Sequence, residues 1–185
     1  MLLRILFSLL LAMGLCVHQS ALADQEDPRL DDLFAALKST QDGAAASAIA
    51  LQIWDIWTAN ANPAFFELMV SGSRHMNANA LQLALDDFNR LVAIAPTYAE
   101  AWNKRATVYY LLQDYAASAA DIDKTLQLEP FHFGALSGRG LVLLGEGRYV
   151  EARVAFQTVL EIYPAMPGVR SNLEQLDNYL RKNSI

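Results

Sequence analysis

Residues 99–130 read AEAWNKRATVYYLLQDYAASAADIDKTLQLEP. Trp102, Ala106, Tyr109 and Leu112 recur at spacings of three and four, and so do Ala119, Ile122 and Leu126. Each half therefore predicts an amphipathic helix, and Gln113-Asp114 between them predicts the turn of a helix hairpin. Pro130 ends the unit, because proline disrupts a helix interior and tolerates only its first turn.

Moving outward, Pro96, Pro130 and Pro164 stand 34 residues apart. Folding the chain on that period gives chemically uniform columns: Leu68, Trp102, Leu136; Gly72, Ala106, Gly140; Ala84, Ser118, Ala152; Phe88, Ile122, Phe156; and Leu91, Thr125, Val159. A fixed period of this length means one hairpin repeated and stacked. The small columns are expected where two helices cross at 8–10 Å and only Gly, Ala or Ser fits. Asn79-Ala80, Gln113-Asp114 and Gly147-Arg148 are the predicted turns, and Thr97 with Glu100 reads as a capping box opening a helix after Pro96.

The flanks follow the same logic. Ala50, Trp54 and Trp57 lie one period before Ala84, Phe88 and Leu91, which makes residues 24–63 a degenerate helical hairpin, expected to cap the start of the stack. Residues 64–166 hold three repeats (about 65–98, 99–132 and 133–166), and residues 167–185, with Val169, Leu173, Leu176 and Leu180 on one stripe, predict a closing helix. Residues 1–23 differ in kind: Arg4, an apolar run from Ile5 to Val17, and Ala21-Leu22-Ala23 before Asp24 read as a secretory signal peptide. The run is shorter than the roughly 20 residues of a membrane-spanning helix, so no stable membrane insertion is expected after cleavage. Cys16 is preceded by Leu15, which departs from a lipoprotein signal. The expected location is the periplasm, a lipidated or anchored form being the weaker alternative.

Cleavage after Ala23 leaves no cysteine, hence no disulfide and no thiolate metal site. The remaining chain has 13 basic and 20 acidic residues, a balance of −7 that disfavours nucleic acid and anionic membranes as partners.

Trp102, Ala106, Tyr109, Ala119 and Pro130 within a 34-residue helix-turn-helix unit resemble the tetratricopeptide repeat. The match runs through residues 65–164, and the whole chain is similar to small secreted proteobacterial proteins of this family. The resemblance implies an all-α, right-handed α–α superhelix of stacked hairpins with a C-terminal capping helix. It also implies a concave wall lined by the first helix of each hairpin. The groove-facing candidates are then Met69, Ser73 and Met76; Asn103, Thr107 and Tyr110; and Ser137, Leu141 and Leu144. Such a mixture suits an extended peptide or a helix, apolar groups taking its side chains and Asn103 and Thr107 its backbone.

Arg105 and Arg139 stand where the family usually has Leu. Either they pair with Asp121 and Asp123 on the following helix, or with Lys104 they receive a partner's carboxylate. Some family members clamp a C-terminal carboxylate with Lys, Arg and Asn from three repeats. Here Gly134 and Gly138 occupy the positions of the basic groups, which argues against that clamp.

No catalytic pattern emerges. Gly138, Gly140 and Gly145 lack the strand and the Lys-Ser/Thr of a phosphate loop, Ser71, Ser73 and Ser137 have no nucleophile elbow, and His75 and His132 lack metal-ligand spacing. The expectation is a non-enzymatic scaffold, without metal or cofactor, that binds a protein or peptide. The alternative is a self-associating or structural subunit of a cell-envelope complex.

Overall fold

The computed structural model describes residues 27–59 and 62–183; the predicted signal peptide lies outside them. Nine α-helices and no strand occur among the described residues. They are α1 (Arg29–Ser39), α2 (Gly43–Thr58), α3 (Pro63–Asn77), α4 (Leu81–Ile94), α5 (Ala99–Leu111), α6 (Tyr115–Leu128), α7 (Phe133–Gly145), α8 (Tyr149–Ile162) and α9 (Val169–Lys182). The strongest pairings are α3 with α4, α5 with α6 and α7 with α8, each a hairpin, and successive hairpins stack through α4 on α5 and α6 on α7. The first helices α3, α5 and α7 also touch in series, forming the inner wall of an all-α superhelix.

The turns repeat because the same helix stop repeats. Asn79, Gln113 and Gly147, 34 residues apart, take left-handed φ values of 57°, 61° and 74°. In each turn the next amide reaches back to the helix: Ala80 to His75, Asp114 to Tyr109 and Arg148 to Leu143, at 2.8–2.9 Å. These bonds satisfy carbonyls that the helix end leaves open.

The small columns sit at the helix crossings. A Cβ on Gly72 would lie 2.7 Å from Phe88, and one on Gly140 would collide with Phe156. In the middle repeat the pair is Ala106 with the smaller Ile122, both buried in one cluster. Ser118 uses its small size differently, donating from Oγ to the Ala106 carbonyl at 2.8 Å. The closing helix α9 buries Leu176 and Leu180 and packs Leu173 against α8, so its apolar stripe is covered.

Two expectations are corrected. The capping box at Thr97 and Glu100 does not form: Tyr98 is the N-cap of α5 without a side-chain bond, and Glu100 turns instead into the inner wall. The N-terminal hairpin also does not sit as a further repeat on α3. The α1–α2 pair packs on α5 and α8, and its core residues Leu37, Ile53, Ile56 and Trp57 cluster with Phe133 and Tyr163. The reason lies in its rings, since Trp54 and Trp57 find their aromatic and polar partners at the start of α7.

Candidate functional site

The inner wall has two parts, one covered by the chain itself and one open. Glu100, at the start of α5, is the centre of the covered part and is 1% exposed. Its Oε2 accepts from Asn103 Nδ2 at 2.9 Å and from His132 Nε2 at 3.0 Å. His132 Nδ1 in turn accepts the Ala135 N–H at 3.1 Å, capping α7. That pattern assigns a proton to Nε2, facing Glu100. Oε1 of Glu100 has Lys104 Nζ at 3.2 Å but no hydrogen bond of proper geometry. Burial acts to raise the Glu100 carboxyl, yet the His132 hydrogen bond, the Lys104 charge and the Asn103 amide together hold it below the usual carboxylate range.

Trp57 of α2 lies on top of this cluster, stacked on His132 at 4.2 Å between ring centroids and 8° between planes. Its indole N–H donates to Glu129 Oε2 at 3.3 Å, while the Phe131 N–H donates to Oε1 at 3.2 Å. Burial pushes the Glu129 carboxyl up despite those donors. Trp54 stands edge-on to His132 and Phe133, and Lys104 Nζ lies 5.6 Å from its ring centroid. Gly134 makes the seat possible, because a Cβ there would come within 3.0 Å of the Trp54 ring.

Beyond Gly134 the wall is open. Asn103, Thr107 and Tyr110 of α5 face Ser137, Gly138 and Leu141 of α7 across a cavity of about 170 Å³, with Ile122 at its base and Met166 at its rim. Among the described residues, no charged side chain lines it. Five of the nine predicted groove residues thus converge: Asn103, Thr107, Tyr110, Ser137 and Leu141. Asn103 is a buried member, tied to Glu100, rather than a free donor for a ligand. Thr107 is likewise bonded to the Asn103 carbonyl through its hydroxyl. The other four lie elsewhere: Met69 is buried in the α3–α4 core with Met76 packed beside it, Ser73 is half-buried on α3, and Leu144 packs in the α7–α9 core.

The three cations considered for a carboxylate contact are engaged internally. Arg105 forms a two-pronged pair with Asp121 at 2.7 Å for both bonds, adds Asn89, and lies over Trp102. Arg139 pairs with Asp123, and Lys104 with Glu100. Receiving a partner's carboxylate would require these pairs to break. Sequence reasoning missed Glu100, Glu129, His132, Trp54 and Trp57 as one cluster. The available signal was an acidic residue at 100 in a column shared with Phe66 and Gly134, where the repeat itself requires no charge.

An inner wall of repeated helix hairpins holding one open cavity defines a solenoid binding scaffold, whose class rests on shape rather than on reactive groups. A TPR repeat-containing protein of Rhizobium etli is 34% identical over 167 residues, 90% of this chain and 82% of that protein. The chain belongs to the tetratricopeptide repeat family. The Sgt2 TPR domain of Aspergillus fumigatus superposes with a TM-score of 0.63 at 20% identity, over 66% of this chain and 83% of that one. The second TPR domain of human RPAP3, solved with the HSP70 peptide SGPTIEEVD, gives 0.58 at 21% identity, over 62% and 95%. No family model matches the chain.

Proposed function

We propose that the chain is a non-enzymatic adaptor or chaperone-like module of the periplasm that holds a peptide or helix of a protein partner on its inner wall. The observation that carries this is the cavity between α5 and α7, where Thr107, Tyr110, Ser137 and Leu141 meet on a groove of the repeat stack. Its size suits one apolar side chain of a ligand, with Tyr110 and Ser137 among its lining residues. Peptide complexes of similar repeat domains support the ligand class. The acidic character of that HSP70 peptide does not carry over, because Lys104, Arg105 and Arg139 are committed to carboxylates of this chain. The periplasmic location is supported by the export signature in residues 1–23.

Site-specific photo-crosslinking in the source cell tests the reading. A crosslinker at Tyr110 or Leu141 should trap a defined partner that one at Val154, exposed on α8, does not. The same bands from all three positions would refute the groove.

Self-association is the second reading, favoured by one observation. Phe66 and Val70, one turn apart on α3, are 56% and 47% exposed. Light scattering at micromolar concentration decides it: a monomer that stays monomeric in Phe66→Ser removes this reading.

A further inference from the structure

The inner wall already holds a helix, and that helix belongs to the chain. α2 places Trp54 and Trp57, three residues apart on one face, against Phe133 and His132, and reaches Glu129. Gly134 borders both Trp54 and the open cavity, so the covered and open parts of the wall are continuous.

Three features distinguish this docking from ordinary core packing. The hairpin makes its tertiary contacts with α5, α7 and α8, far along the chain, rather than by joining the repeat register at α3. In the docked state Glu100 Oε1 is buried with the Lys104 ammonium at 3.2 Å but without a hydrogen bond of proper geometry. Glu129, also buried, is met among the described residues by two long bonds at 3.2 and 3.3 Å, one of them from the hairpin itself. Glu129 Oε2, met by the hairpin's own indole at 3.3 Å, is better solvated when the hairpin lifts, which offsets part of the gain from burying two indoles.

We propose that α1–α2 is an intramolecular ligand of the inner wall, and that the surface beneath it receives a partner helix of the same chemistry: amphipathic, with two aromatic rings three residues apart, one carrying an N–H donor for Glu129. This deepens the groove reading and rests on it. Displacing the hairpin joins the wall under α2 to the open cavity and doubles the role of Gly134, which then lies in the middle of one groove.

The test uses the full chain and a labelled peptide of residues 27–59 as probe. In Trp54→Ala/Trp57→Ala the internal hairpin loses its anchors while the wall is unchanged, so this variant should bind the probe at least tenfold more tightly than the native chain. Adding His132→Ala should abolish that gain. Tyr110→Ala should leave probe binding intact while it weakens capture of the groove partner, which separates failure here from failure of the groove reading. Hydrogen exchange on the unmodified chain covers the case in which the double variant unfolds: amides of α1 and α2 should open together, at least a hundredfold faster than those of α5 and α7. Equal protection of all four helices would overturn the proposal. So would a folded double variant that ignores the probe.

Discussion

Trp57 lies flat on His132, 4.2 Å between ring centroids, while its indole N–H reaches Glu129. One side chain of the N-terminal hairpin thus covers an imidazole from the start of α7 and satisfies a carboxylate from the end of α6. Trp57→Phe keeps most of the ring contact and removes the donor, leaving Glu129 Oε2 buried and unsatisfied. The docked hairpin should lose about 1–3 kcal/mol. Chemical denaturation followed by far-UV circular dichroism and by the remaining tryptophans checks this, and an unchanged midpoint would contradict it.

The helix crossing in the third repeat predicts a compensating pair. Gly140→Ala drives a Cβ into Phe156 and should cost about 1–3 kcal/mol by overpacking. Phe156→Ile rebuilds the combination of Ala106 with Ile122 in the middle repeat. The double variant should therefore be more stable than the sum of the single effects predicts. A thermal double-mutant cycle measures the coupling, and strict additivity would show that the column is not a contact.

Two arginines one period apart should behave differently. Arg105 is 16% exposed and Asp121 6%, so Arg105→Ala strands a buried carboxylate at a cost of about 3–5 kcal/mol. Arg139 and Asp123 are 39% and 63% exposed, and Arg139→Ala should cost less than about 1 kcal/mol. Equal effects in urea titrations would contradict the assignment.

The repeat was legible because stacking makes the same demand every 34 residues, so the small side chains of Gly72, Ala106 and Gly140 mark a helix crossing by their spacing alone. The α2 pattern at Ala50, Trp54 and Trp57 was legible as a helix, but periodicity says which face is apolar and not which surface receives it. Glu100 was misread for a related reason. Thr-x-x-Glu is a local signal, whereas its true partner His132 lies 32 residues away and has no counterpart in the other repeats. In the groove, spacing brought Thr107, Tyr110, Ser137 and Leu141 together correctly as neighbours. It could not show that Asn103 and the three cations were already occupied.

Glu100 sets an acid dependence. Its folded carboxyl is held below the usual range, so it contributes stability that is fully present above the unfolded value and is lost as pH falls through the folded one. Glu100→Gln should be less stable than the native chain at pH 7. The gap should close as pH falls below the ordinary glutamate value of about 4.3. Thermal melting of both chains across that window measures it. A gap that widens toward acid would mean that burial dominates over His132, Lys104 and Asn103.

The central claim is that the ligand sits between α5 and α7. Its most direct measurement is the affinity of peptides selected from a random library on the native chain, compared in Tyr110→Ala and Val154→Ala. Tyr110→Ala should weaken binding at least tenfold with a small change in melting temperature, because Tyr110 is only partly buried at the cavity wall, while Val154→Ala should bind as the native chain does. Full affinity in Tyr110→Ala, or its loss in Val154→Ala, would place the ligand on another face.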